Sequence, residues 1–330
     1  MIRNLEIENF KSIKHLKLDC KRINIFIGEP NTGKSNILES LGVFSSASFG
    51  GILRDFVRIE RVNNLFYDEN LRQSIKIKAD DLVFVIEFEQ KRFRGKLYNK
   101  RKELVSPLMT FEYDLKSVTK TLYTGEDSTK FFGFYRFKVL ENFPNMESEF
   151  LYPPFGTNLL VILKTNRELK KFVKRIFDKY GLKVVLKPQE NKIEVQKEVE
   201  EDIVIAYPYS LVSDTLQRII FHLAAIEANE GSVIAFEEPE SHAFPYYTKF
   251  LAERIALDKN NNQYFISTHN PYLLLSILEK AHKDDVAIFI TYFEDYQTKV
   301  KLMSEKELEE IMDLGVDVFF NIERFLEVQK

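Results

Sequence analysis

The chain of 330 residues is expected to be an α/β protein. A parallel central sheet, an antiparallel β subdomain and an inserted β-rich and helical lobe are expected within it. Three stretches carry that expectation. The apolar run Ile23-Asn24-Ile25-Phe26-Ile27 feeds a glycine-bounded loop and then a helical pattern. The run Val233-Ile234-Ala235-Phe236 ends in two adjacent acids, Glu237 and Glu238, and the run Gln263 to Thr268 ends in His269-Asn270-Pro271. Three strand ends of this kind describe one crevice at the carboxyl edge of a parallel sheet, where open α/β folds bind ligands.

In chain order, residues 2–9 alternate apolar Ile2, Leu5 and Ile7 with polar neighbours, and a second alternating run passes through Leu16 and Leu18. An antiparallel pair is expected there. After the glycine-bounded loop, Ile37, Leu38, Leu41, Val43 and Phe44 lie at helical spacing, and the stretch Ser45 to Gly51 is expected to end the helix. Residues 52–80 scatter Arg54, Arg58, Arg61 and Arg72 among apolar residues, and either surface ion pairs or an arginine reaching a ligand fits them. Strands are expected from Asp81 onward. Around Arg92, Arg94 and Lys96, period-two alternation puts the cations on one face and Phe93 and Leu97 on the other. Lys100, Arg101 and Lys102 follow directly, so this hairpin is either a phosphate contact for DNA or a solvated, charge-protected edge. An amphipathic helix is expected over about 167–180 with Gly181 as its cap, and strands near 182–187, 191–197 and 202–206 follow it.

Composition narrows the class. A net charge of −3 excludes a protein that coats nucleic acid over its whole surface, so any such contact must be a local patch. Cys20 is the only cysteine, which excludes an internal disulfide and a cysteine-rich metal site and suits a reducing cytosol. No signal peptide is read at the N-terminus, and no apolar run reaches the roughly 18 residues a spanning helix needs. A soluble, cytoplasmic protein without a membrane partner is expected.

The glycine-bounded loop reads Gly28-Glu29-Pro30-Asn31-Thr32-Gly33-Lys34-Ser35, a G-x-x-x-x-G-K-S pattern between strand and helix. This is a phosphate-binding loop. Its backbone N–H groups form an anion nest that continues to Asn36, and the helix N-terminus adds its positive dipole end. Lys34 is expected to reach the β- and γ-phosphates of ATP, and the Ser35 hydroxyl to bind Mg²⁺. Phosphoanhydride hydrolysis also needs acids at the same edge. Glu237 is expected to hold the metal or its waters and Glu238 to orient or deprotonate the attacking water. His269 is placed to contact the γ-phosphate, while His222 and His242 are expected to be structural. About 200 residues separate Lys34 from Glu237, more than one βαβ unit uses, so an insertion lies between them. The head is expected at 1–50 and 205–330 and the inserted lobe at 51–204. Ser213 or Asp214 is the expected N-cap of a helix that opens just before the acidic strand.

The stretches IENFKSIKHLKL, IGEPNTGKSN, VSDTLQR, IAFEEPESHAFP and FISTHNPYLL resemble those of ABC-type ATPase heads in the RecF, SMC and OLD group, often called AAA-family ATPases. The resemblance covers residues 1–50 and 205–280. It implies a P-loop NTPase fold and a homodimer in which Ser213 of one subunit caps, in trans, the γ-phosphate held by the other. Glu237 stands where many relatives carry Asp, and Thr215 where a signature glycine is common. Gln73 and Gln90 are both candidates for the glutamine of the lobe-connecting loop. OLD nucleases add a C-terminal Toprim domain, for which the roughly 60 residues after His269 are too few by the domain sizes usual for such folds. The resemblance therefore implies a stand-alone ATPase in DNA maintenance or antiviral defence, with a separately encoded nuclease or toxin as effector. The rivals are a RecF-like DNA clamp, an ATP-sensing scaffold with little turnover, and a transporter subunit; the divergent signature and long insertion argue against the last.

Overall fold

The computed structural model describes residues 1–49, 52–99, 104–111, 118–119, 132–144, 147–200 and 203–326. Strands β1 (Asn4–Phe10) and β2 (Ile13–Asp19) form the expected antiparallel pair, with Leu5 opposite Leu18 and Ile7 opposite Leu16. Every residue of β3 (Ile23–Ile27) is buried. Helix α1 (Lys34–Phe49) takes in the serines and reaches Phe49, inside the stretch Ser45 to Gly51 that was expected to end it. The serines are tolerated because they have partners: Ser48 Oγ donates to the Phe44 carbonyl at 3.1 Å, and Ser45 Oγ accepts from the Phe134 N–H at 3.2 Å.

A short helix, α2 (Leu53–Phe56), precedes β4 (Ile75–Ala79), β5 (Leu82–Glu89), β6 (Arg92–Tyr98), β7 (Leu104–Phe111) and β8 (Val118–Thr119). These strands extend the first pair into a seven-stranded antiparallel sheet of order β2-β1-β4-β5-β6-β7-β8. Next come β9 (Phe132–Tyr135), α3 (Leu159–Thr165) and α4 (Arg167–Asp178), whose start is capped by the Asn166 side chain accepting from the Leu169 N–H. Strands β10 (Leu182–Lys187), β11 (Lys192–Glu200) and β12 (Ile203–Pro208) make a separate three-stranded antiparallel sheet.

The chain then alternates α5 (Asp214–Glu227), β13 (Val233–Glu237), α6 (Pro245–Ala256), β14 (Gln263–Ser267) and α7 (Pro271–Lys280). A hairpin of β15 (Val286–Glu294) and β16 (Gln297–Leu302) follows, with α8 (Glu305–Leu314) and α9 (Ile322–Leu326) after it. The six-stranded sheet has the order β16-β15-β3-β14-β13-β9, parallel except for β16. Its parallel strands are buried on both faces over most of their length, which is why they read as continuous apolar runs. Alternation divides each strand between two cores: Ile23, Ile25 and Ile27 join the core containing α3 to α7, whereas Phe26 joins the one containing α1 and the antiparallel sheet. Phe26 stacks there on Phe289, with ring centres 5.2 Å apart.

The boundary drawn at 51–204 does not coincide with the sheets. Strand β9 lies inside that stretch yet pairs in parallel with β13, and β4 lies inside it yet pairs with β1. Strand pairing over long sequence separations, which no local pattern announces, places both.

Candidate functional site

The sheet order sets β3 beside β14 and β14 beside β13, so the segments leaving these three strands meet at one carboxyl edge. The loop after β3 turns through left-handed backbone at Gly28 (φ 144°), Asn31 (φ 64°) and Gly33 (φ 97°). Glycine is required twice for a second reason. A Cβ on Gly28 would stand 2.3 Å from the Thr291 carbonyl oxygen, and one on Gly33 would stand 2.0 Å from Thr298 Oγ1. The β15–β16 hairpin is therefore the floor of the loop. Thr291 Oγ1 donates to the Ile27 carbonyl at 3.0 Å and lies 2.8 Å from Thr32 Oγ1, which donates to the Glu29 carbonyl at 2.8 Å. Thr298 Oγ1 lies 2.6 Å from Ser12 Oγ, and Ser12 Oγ accepts from Asn36 Nδ2 at 2.7 Å. Asn36 is thus engaged in holding the helix start to the β1–β2 turn.

Lys34, the first residue of α1, is buried and donates to the carbonyls of Gly28 at 2.8 Å and Glu29 at 2.6 Å. Burial pulls its pKa down to about 8, against the charges of Glu238 and Glu29. Ser35 follows at the helix N-terminus, where main-chain N–H groups have no intrahelical acceptor. Pro30 and Glu29 are exposed at the loop tip.

Glu238 takes a left-handed φ of 43°, uncommon for a side chain of this size, and its N–H donates to the Ser267 carbonyl at 3.0 Å. That bond ties the end of β13 to the end of β14. The Glu238 carboxylate accepts from Ser241 Oγ at 3.2 Å and stands 3.6 Å from His269 Nε2. Burial lowers the His269 pKa, the Lys34 charge lowers it further, and Glu238 opposes both. Beneath them Glu240 is buried; burial pushes its pKa up to about 7, and Thr268 Oγ1 donates to it. Asn270 caps α7 by accepting from the Tyr272 N–H.

Glu237 is engaged differently. Arg58 Nη2 lies 3.0 Å from its Oε1 and Arg136 Nη2 lies 3.5 Å from its Oε2. Both guanidiniums also meet Glu39 of α1, a fully buried carboxylate that pairs with Lys11 as well. Burial works against the Arg58 charge, but Glu237 and Glu39 outweigh it and raise its pKa. Ser35 and Glu237 offer hard oxygen donors of the kind Mg²⁺ takes, and the loop offers a cradle that only glycine leaves open, so the residues fit Mg-ATP.

The remaining expected residues lie elsewhere. Ser213 is exposed at the N-cap of α5 and makes no side-chain capping bond there. Thr215 Oγ1 donates to the His242 carbonyl at 2.7 Å, linking this helix start to the segment after β13. His222 is buried with Nδ1 2.8 Å from the Arg218 carbonyl oxygen, a structural position. Gln90 sits in the β5–β6 turn and accepts from Arg94, while Gln73 is exposed ahead of β4. Of the basic hairpin, Arg94 pairs with Glu89 at 3.6 Å and Lys96 with Glu87 at 3.0 Å, and Arg92 is exposed. Strand β6 is an interior strand, flanked by β5 and β7, not an edge. Lys100, Arg101 and Lys102 lie outside the described residues. The sequence reading missed Glu39, Arg136, Glu240, Thr291 and Thr298. Arg136 follows an apolar strand as Glu237 and His269 do, and that pattern was a signal for it.

This geometry defines a phosphate-loop ATPase head. Two family models match the chain: "AAA ATPase domain" over residues 1–153 and "AAA domain, putative AbiEii toxin, Type IV TA system" over residues 161–276. The fold is similar to an SMC head bound to the C-winged helix domain of ScpA, with a TM-score of 0.51 and 16% identity over 93% of this chain and 99% of that one. It is also similar to the Pyrococcus furiosus Smc head domain with an extended coiled coil bound to the C-terminal domain of ScpA, with a TM-score of 0.53 and 12% identity over 94% and 98%. Both family models are AAA-type domains, matched over residues 1–153 and 161–276, and the SMC heads share this fold. Among curated relatives, "Uncharacterized protein MJECL10" of Methanocaldococcus jannaschii is 35% identical over 92 residues, 24% of this chain and 41% of that protein. An "ATP/GTP phosphatase" of Helicobacter pylori is 31% identical over 88 residues, 23% of this chain and 24% of that protein. The matches span less than half the length of these relatives. Among the described residues, no helix is long and apolar enough to cross a membrane.

Proposed function

We propose that this chain is a Mg²⁺-dependent ATP hydrolase whose ATP-bound heads pair and whose hydrolysis releases them. The observation that carries the reading is the meeting of three strand ends: Glu238 stands 3.6 Å from His269 and shares the field of Lys34, the loop lysine. In this reading the N–H groups from Gly28 to Asn36 hold the phosphates, with Glu29, Pro30, Asn31 and Thr32 shaping the loop between the two glycines. Lys34 exchanges its two main-chain acceptors for phosphate oxygens. Ser35 and Glu237 hold Mg²⁺, which when bound neutralises charge on the transferring phosphoryl group. Glu238 orients or deprotonates the attacking water, and His269 holds the γ-phosphate side. The head then comprises 1–50 and 205–330 with β9 added to it.

Ser213 acts in trans in this reading, and its exposure and free capping position are compatible with that. A separately encoded effector such as a nuclease or toxin is the proposed partner; the toxin-system wording of the second family model supports it. The DNA-clamp alternative has less support, because Arg94 and Lys96 already have acidic partners. The test is light scattering of Glu238→Gln with and without Mg-ATP, alongside wild-type turnover with and without duplex DNA. A nucleotide-dependent doubling of mass supports the cycle. A particle that ignores ATP favours a preassembled scaffold, and stimulation by DNA favours the clamp.

A further inference from the structure

The carboxylate assigned to the metal is already held by two cations. Strand β9 pairs in register with β13, Tyr135 opposite Phe236, so Arg136 at the end of β9 stands next to Glu237 at the end of β13. Arg136 is fixed from several sides. Its N–H donates to the Pro154 carbonyl at 2.9 Å, its guanidinium lies over the Phe134 ring at 5.3 Å, and its Nη2 reaches Glu39 at 3.3 Å. Arg58 completes the arrangement with Nε 2.8 Å from Glu39 and Nη2 3.0 Å from Glu237, but its side chain is 56% exposed against 24% for Arg136. A fully buried carboxylate serving Lys11, Arg58 and Arg136 costs desolvation and returns fixed geometry, since removing one member strands the others.

We propose that Arg136, seated on Glu39, is a positioning residue that clamps Glu237 and sets the Mg²⁺ requirement for nucleotide binding, with Arg58 as the movable half of the clamp. The inference rests on the proposed role of Glu237 as the metal-holding acid. A divalent cation reaches that carboxylate only in competition with two guanidiniums. Both oxygens of Glu237 already face guanidiniums, so Mg²⁺ alone must displace those contacts to reach it. The ion enters with phosphates that neutralise it. Lysine in place of Arg136 keeps the charge but loses the planar fork that spans Glu39 and Glu237.

The experiment is equilibrium binding of a fluorescent ATP analogue at fixed nucleotide while Mg²⁺ is raised from an EDTA baseline, a readout that needs no turnover. Wild type, Arg136→Ala, Arg136→Lys and Arg58→Ala are compared after circular dichroism and thermal melting show which are folded. Removing one arm of a partly exposed pair is expected to lower the half-saturating Mg²⁺ about fivefold. Arg136→Ala and Arg58→Ala should both show it, and Arg136→Lys should stay nearer wild type. Arg58 is more than half exposed, so Arg58→Ala carries the test even if Arg136→Ala does not fold. Folded alanine variants with unchanged or higher Mg²⁺ requirement overturn the clamp while the metal role of Glu237 stands. A wild type whose binding ignores Mg²⁺ overturns that role and the clamp with it.

Discussion

Across the antiparallel sheet, charged side chains are answered by neighbouring strands: Lys76 meets Glu8 at 3.6 Å, Lys78 meets Glu6 at 3.9 Å, and Lys96 meets Glu87 at 3.0 Å. At the carboxyl edge of the parallel sheet, Lys34 has main-chain carbonyls for hydrogen-bond partners, and Glu238 comes no nearer His269 than 3.6 Å. The backbone differs in what crowds it, not in its hand, since left-handed φ also occurs at Lys11, Asp80, Gln90 and Lys91 in the turns of the antiparallel sheet. Gly28, Gly33 and Glu238 adopt left-handed φ at that edge, and a Cβ on either glycine would strike the threonines of the β15–β16 hairpin. Surface pairs of the first kind are individually worth little. Conformations of the second kind persist only where the surroundings over-determine them, and they gather where ligands are handled.

Substitutions should separate the two regions. Lys34→Ala is expected to abolish ATP binding, a loss of roughly 10²-fold or more once charge-assisted phosphate bonds are gone; isothermal titration checks it, and unchanged affinity would refute the loop assignment. Glu238→Gln should keep ATP affinity while turnover falls by roughly 10² or more. If Glu237→Gln gives the trapped, ATP-bound state instead, the roles of the two acids exchange. Glu39→Gln tests whether the buried cluster belongs with the strained edge. It should destabilise the fold by about 3 kcal/mol in urea unfolding, because three cations lose one buried counter-charge.

Acidity offers a milder probe. Phosphate favours the charged form of Lys34, so binding raises its pKa above the value near 8 of the free protein. ATP affinity should therefore be complete below that value and decline as pH rises past it, approaching about tenfold per pH unit. Affinity that is flat through this range would contradict the electrostatic environment of the lysine. The smallest effect is expected in the antiparallel sheet, where Lys96→Ala should cost no more than about 0.5 kcal/mol. A much larger cost, or a loss of DNA binding, would mean that this sheet shares in function.

The phosphate loop, the acidic pair and His269 were legible because each is a run of consecutive residues at the end of an apolar strand. The antiparallel pair β1–β2 was legible for the same local reason. The Glu39 cluster was not: Arg136 is 97 positions from Glu39 and 101 from Glu237, so only strand pairing reveals their contact. The glycines announced that something approaches the loop closely, but not that Thr291 and Thr298, more than 250 residues away, do so. Where within Ser45 to Gly51 the helix α1 would stop was not legible from the serines, because Ser45 and Ser46 are buried inside it and it runs to Phe49. Placing β9 in the parallel sheet was also beyond local pattern, and without it nothing set Arg136 beside Glu237.

The most direct test is phosphate release by wild type and Glu238→Gln at saturating Mg-ATP, with bound nucleotide measured in the same samples. The account predicts steady turnover by wild type, with the variant filled by ATP and slower by roughly 10² or more. Equal turnover by the two proteins would contradict it.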